Sequence, residues 1–215
     1  MTHILLAGAT GLVGGAALAR LLDDDRVTQV VAPTRRPLAP HPKLLNPLVD
    51  SRTLPRDAPW WTVDAAICAL GTTRKKAGSA EAFRAVDHDY VLAIAAQVRR
   101  SGARRFALTS SMGADSHSPF LYPRTKGEVE AAVRQLAFPS LTILRPGLLG
   151  GDRTEHRPME RIMGRLLRIA GPILPASARI SPAATVAQLL VAAALDGQPG
   201  THVITAADIA RAAVL

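Results

Sequence analysis

The sequence of 215 residues contains a single cysteine, Cys68. That excludes an internal disulfide framework and leaves no cysteine set for a zinc site. Its 6 histidines, His3, His41, His88, His117, His156 and His202, lie far apart. None forms the close pair that a metal-binding helix uses, so no metal is expected. Aromatic residues make up only 4%. With no recognition motif beside them, no nucleic-acid partner is expected. Long apolar runs are also missing: the longest, Ala183 to Leu195, is interrupted by Thr185 and Gln188. It is too short to span a bilayer, and no membrane partner is expected. Met1-Thr2-His3 leads straight into an apolar segment with no secretory leader. A cytoplasmic, reducing location is the expectation that follows.

What the chain does have is a basic excess and enough apolar residues for a core. Lys and Arg number 26 against 17 Asp and Glu, a net charge of +9. Such a balance favours anionic partners without choosing among them. Most of the arginines stand singly, as on a solvated surface. Hydrophobic residues at 48% of the chain suit one α/β domain spanning residues 1–215, with about 150–215 on the substrate side.

Strand and helix signals alternate. His3–Ala7 reads as a buried strand and Gly11–Leu22 as a helix. Val27–Ala32 reads as a second strand, followed by Pro33, Pro37, Pro40, Pro42 and Pro47. Proline blocks a helix interior, so the crossover helix after this strand is expected to be absent or stunted. Further strands are expected at Leu44–Val49, Val63–Leu70, Arg104–Thr109, Leu141–Leu144 and His202–Thr205. Helices are expected over Ser79–Arg100, from a Ser118-Pro119 cap to about Leu136, and over Thr185–Leu195. The predicted fold is a doubly wound, mostly parallel sheet with helices on both faces and a small C-terminal extension. Such sheets bind ligands beyond the carboxyl ends of their strands.

Just beyond the first strand stands Gly8-Ala9-Thr10-Gly11-Leu12-Val13-Gly14. Gly8 suits a tight turn, Gly11 a close approach of phosphate to backbone, and Gly14 close helix–sheet packing. With Thr10, Leu12 and Val13 this segment presents free N–H groups at a helix start to a pyrophosphate. At the end of the second strand, where an NAD site places an acidic residue, stand Arg35 and Arg36. A guanidinium makes charge-assisted bonds to a 2′-phosphate, so NADP(H) is preferred over NAD(H), with Arg35 favoured. Ala69, Leu70, Gly71 and Thr72 follow the fourth strand and are candidates to border the cofactor, since small residues there would let its ribose pass over the backbone. Cys68 reads as a buried core residue.

The fifth strand ends in Thr109-Ser110-Ser111, and Tyr122 and Lys126 stand beyond it at i and i+4. On a helix they share one face. A neighbouring ammonium favours the phenolate form of a tyrosine, which suits proton transfer. Lys126 also suits a nicotinamide ribose, and a serine hydroxyl suits orientation of a substrate carbonyl. Ser110 and Ser111 are equal candidates.

With these motifs the chain resembles the short-chain dehydrogenase/reductase superfamily. Within it the likeness is to the small atypical branch of the HIV Tat-interacting oxidoreductase-like proteins. GATGLVGG (8–15), TRRP (34–37), CALGTTRKKAGS (68–79), FRAVDHDY (83–90), SSMGAD (110–115), FLYPRTKGEVE (120–130) and LRPGLLGG (144–151) carry the likeness, which covers about the first two thirds of the chain. The resemblance implies a Rossmann fold, a Ser–Tyr–Lys site at Ser110 or Ser111, Tyr122 and Lys126, and backbone at Pro146, Gly147 and Leu148 against the nicotinamide amide. It also implies an NADPH-dependent oxidoreductase acting on a small carbonyl. One departure stands out: superfamily enzymes commonly carry an Asn before the fifth strand, whereas Val86-Asp87-His88-Asp89 has none. The alternative is therefore a non-catalytic NADPH-binding regulator that acts through a protein partner. Arg161, Arg165 and Arg168 share one helical face in the tail, which reads as a helix over the substrate cleft.

Overall fold

The computed structural model describes residues 2–50, 53–150 and 180–214. Strand β1, Thr2–Ala7, lies inside the sheet, paired on both edges, and its side chains alternate between the two faces. Ile4 and Leu6 enter the core on one face, while Leu5 and Ala7 enter the core on the other. Helix α1, Leu12–Asp23, follows and buries Val13, Gly14, Ala17 and Leu21. Strand β2, Val27–Val31, pairs parallel to β1.

No helix joins β2 to β3, in agreement with the proline run. Strand β3 is only Leu44–Leu45, shorter than expected, with one further bridge between Thr34 and Leu48. Asn46 organises this stretch instead: its amide donates to the Ala32 carbonyl at 2.6 Å and to Thr34 Oγ1 at 2.8 Å. A side chain thus holds the end of β2 where a crossover helix would have packed.

Strands β4 (Ala65–Cys68), β5 (Arg105–Thr109) and β6 (Ser140–Arg145) extend the sheet from β1. After the pair β7 (Leu149–Gly150) and β8 (Ser181–Pro182) come helix α6 (Ala183–Asp196) and strand β9 (Gly200–Thr205). The resulting 7-stranded sheet has the order β3-β2-β1-β4-β5-β6-β9, with every pairing parallel. Helices α1 and α6 cover one face; α4 (Tyr90–Arg100) and α5 (Leu121–Gln135) cover the other. This is the Rossmann-like α/β fold that the alternation predicts. A last helix, α7 (Ala206–Ala212), is added by a capping box between Thr205 and Asp208.

Two helices depart from expectation. Ser79–Arg100 is not one helix. A short α2 (Arg74–Ala77) precedes it, and Ser79 caps α3 (Ala80–Arg84) by accepting from the Ala82 N–H. Residues Ala85–Asp89 then form a wider π-helical turn before α4. Ser118 does not cap α5: its hydroxyl accepts from the Phe120 N–H and the helix begins at Leu121. Pro123 is tolerated there because first-turn N–H groups lack helical acceptors anyway. The arginine-faced helix expected around 161–169 lies outside the described residues.

Two glycines set the approach of α1 to β1. Gly8 adopts φ of 87°, which disfavours any side chain. A Cβ on Gly14 would stand 2.0 Å from the Gly8 carbonyl oxygen, so only hydrogen fits. Gly14→Ala should therefore push α1 off the turn and cost about 2–4 kcal/mol in urea unfolding. A wild-type midpoint for that variant would contradict this packing.

Candidate functional site

The carboxyl ends of β1, β4 and β5 open into a cleft of about 610 Å³. That is room for a nucleotide-sized ligand. The turn after β1 supplies Thr10, Gly11, Leu12 and Val13; the loop after β4 supplies Ala69 to Thr73. From the other side come Thr109 and Ser110 at the end of β5, with Tyr122 and Lys126 from α5. The fold thus brings the glycine turn and the Tyr–Lys pair to one cavity.

Gly11 precedes α1 with no side chain to cap it. The first-turn N–H groups are therefore left to the cleft, with the positive end of the helix dipole behind them. Thr109 Oγ1 is buried in the lining and has no hydrogen-bond partner among the described residues. An anion with further hydrogen-bonding groups fits this lining, as a dinucleotide would. Gly8 and Gly14 shape the turn from beneath and do not line the cleft.

Of the two serines, Ser110 lines the cleft, and Ser111 does not. Ser110 is buried and donates its hydroxyl to Glu130 Oε1 at 2.5 Å. Glu130, only 2% exposed, also takes two bonds from Arg145, at 2.9 and 2.6 Å. The paired carboxylate holds the Arg145 guanidinium above its ordinary range. Since a carboxylate can only accept, the Ser110 proton lies on the Glu130 side. What Ser110 offers the cleft is an acceptor lone pair, not the donor expected for a substrate carbonyl. Ser111 Oγ donates instead to the Met112 carbonyl at 3.2 Å.

Tyr122 is 43% exposed, and its ring packs 5.7 Å from that of Phe83. Lys126 is 4% exposed, with Nζ 2.7 Å from Asp87 Oδ1. In the sequence Asp87 stands out only as part of a stretch, Val86-Asp87-His88-Asp89, that has no Asn. Its acidic type was visible, but the π turn that aims it inward was not. Thr73, Lys76 and Leu149 also join the lining beyond the expected residues. Gly127 lets α5 lie directly on the loop after β5, for a Cβ there would stand 2.1 Å from the Ser116 nitrogen.

Other candidates lie outside the cleft. Arg35 and Arg36 are exposed at the end of β2, and neither guanidinium is engaged among the described residues. Of the segment after β6, the Pro146 carbonyl accepts from the Met112 N–H at 2.8 Å. The Gly147 N–H donates to Ser181 Oγ at 3.1 Å, and the Leu148 carbonyl accepts from the Ser181 N–H at 2.9 Å. Among the described residues no acidic, cysteine and histidine cluster is arranged for a metal, and no helix is long and apolar enough to cross a membrane.

Comparison with known proteins places the chain. It is 36% identical over 183 residues to the protein fmp52, mitochondrial, of Aspergillus niger, covering 80% of this chain and 77% of that one. It is 41% identical over 162 residues to the protein HTATIP2 of Rattus norvegicus, covering 73% and 66% respectively. The chain belongs to the atypical short-chain dehydrogenase/reductase family. No family model matches it. Among solved structures, MoeE5 in complex with UDP-glucose and NAD superposes with a TM-score of 0.70 at 18% identity, covering 94% of this chain and 75% of that one. The Bordetella bronchiseptica enzyme WbmH in complex with NAD+ gives 0.70 at 14% identity, covering 95% and 75%. These likenesses show the fold.

The family members correct one expectation. The Fmp52 relatives are named mitochondrial proteins, which points away from the cytoplasm.

Cys68 is the buried core residue that the sequence suggests. Burial pushes its thiol up to about 11. The folded protein should therefore be inert to a thiol reagent at about pH 8 and react only once denatured. Rapid labelling of the native chain would contradict this placement.

Proposed function

We propose that the protein is an NADPH-dependent oxidoreductase that reduces a small carbonyl or a related acceptor. The observation that carries this reading is the convergence of the uncapped glycine turn with Tyr122, Lys126 and Ser110 on one cleft. NADPH, when bound, supplies hydride. The amides of Leu12 and Val13 would hold its pyrophosphate and Lys126 its nicotinamide ribose. Arg35, assisted by Arg36, would take the 2′-phosphate, since no carboxylate stands at the end of β2 to repel it. The small loop Ala69–Thr72 leaves room for the ribose, and the backbone at 146–148 borders the nicotinamide side.

Tyr122 donates its phenolic proton to the carbonyl oxygen as the alcohol forms. Ser110, its own proton held by Glu130, accepts from the hydroxyl of the alcohol product. Tyr122 is then the proton donor to the carbonyl in this arrangement. The structural neighbours MoeE5 and WbmH are complexes with NAD, which supports a nicotinamide dinucleotide in such a fold.

Titration by reduced-nicotinamide fluorescence tests the cofactor assignment. NADPH should bind more tightly than NADH, and Arg35→Ala should cost about tenfold or more in NADPH affinity while leaving NADH unchanged. Equal affinities in wild type would remove the preference. Tyr122→Phe should retain NADPH binding and lose about 100-fold or more in turnover with a carbonyl panel. An unchanged rate would take Tyr122 out of the chemistry. No turnover by the wild type, with partner binding that changes with NADPH, would favour a regulator instead.

A further inference from the structure

The stretch that lacks the usual Asn, Val86-Asp87-His88-Asp89, carries the most deeply buried charged residue of the cleft lining. Asp87 is 0% exposed. The π turn Ala85–Asp89 carries it toward the strand ends. Its neighbours His88 and Asp89 pair with each other at 2.7 Å. Oδ2 accepts from the Thr72 N–H at 2.8 Å, while Oδ1 has no hydrogen-bond partner among the described residues and meets Lys126 Nζ as an ion pair at 2.7 Å. The loop between them passes close overhead, since a Cβ on Gly71 would stand 3.6 Å from Asp87 Oδ1 and 3.9 Å from Lys126 Nζ.

We infer that Asp87 is the positioning residue that keeps Lys126 charged and ties it to the cofactor-facing loop after β4. Burial disfavours the charged form of an ammonium, and a counter-charge beside it offsets that cost; Lys126 is 4% exposed. The other ionisable groups around Lys126 do not supply that charge. Cys68 of β4 holds its proton, and Tyr122 brings a phenol rather than a carboxylate. Glu130, one turn along α5, is committed to Ser110 and Arg145. Lys76 of α2, on the same cleft, has the same sign as Lys126. Arg84 and Glu128 pair with each other. An Asn at position 87 could accept a hydrogen bond but could not balance the charge. The consequence for cofactor binding rests on the dinucleotide reading; the ion pair does not.

The test compares wild type, Asp87→Asn, Lys126→Met and the double variant by thermal unfolding from about pH 6 to about pH 9. In Asp87→Asn the unpaired ammonium loses its proton more readily folded than unfolded. The folded state then binds fewer protons, so its stability should rise with pH relative to wild type. In Lys126→Met the unpaired carboxyl gains a proton more readily folded, so stability should fall with rising pH. The double variant should show neither slope. Either single variant that folds decides the matter, and a pH-independent gap from wild type would overturn the inference. NADPH affinity of Asp87→Asn should also fall about tenfold across the range, against little change in wild type. Affinities that run parallel at every pH would overturn the functional part. Failure of wild type to bind NADPH would instead remove the dinucleotide reading and leave the unfolding slopes to judge the ion pair.

Discussion

Two buried charges of opposite sign, one helical turn apart on α5, hold the site together. Lys126 reaches Asp87 on the π turn, and Glu130 reaches Arg145 at the end of β6 and Ser110 beyond β5. Each pair is costly to desolvate, and leaving one partner alone costs about 3–5 kcal/mol. The gain is geometric. α5 can rotate or slide only by breaking one pair or the other, so the face carrying Tyr122 is fixed against the strand ends. The close seat of Gly127 on the Ser116 backbone adds a steric stop to the electrostatic ones.

The same arrangement fixes the polarity of the cleft. On one wall stand backbone donors at the start of α1, unmasked because Gly11 brings no capping side chain. On the other stands a serine whose proton points away, leaving an acceptor, beside a tyrosine free to give a proton. The ammonium between them is already neutralised by Asp87 at 2.7 Å. Under the proposed function the site would separate two tasks: a fixed positive end for an anionic cofactor, and a proton donor whose neighbouring charge is balanced.

The parallel sheet was legible because alternating apolar strands and amphipathic helices leave a strong periodic signal, and glycine spacing has few other uses directly after a strand. The loss of the helix after β2 was legible from its prolines. What could not be read were features set by tertiary contact. Asn46 replaces that helix through side-chain bonds, β3 shrinks to Leu44–Leu45, and the π turn re-aims Asp87 without any local sequence mark. Ser118 looked like a cap, but its hydroxyl serves a turn. Thr205 and Asp208 stood at capping-box spacing and were overlooked, so α7 was missed. Tyr122, Lys126 and Ser110 were legible as candidates; the direction of the Ser110 hydrogen bond was not, because it depends on Glu130 arriving from another turn of α5.

A crystal structure of the protein with NADPH bound tests the central claim most directly. The account predicts the pyrophosphate on the first-turn amides of α1, the 2′-phosphate on Arg35, and the nicotinamide facing Tyr122 with the Asp87–Lys126 pair intact. A dinucleotide bound elsewhere, or lying in the cleft with its nicotinamide end toward Arg35, would contradict it.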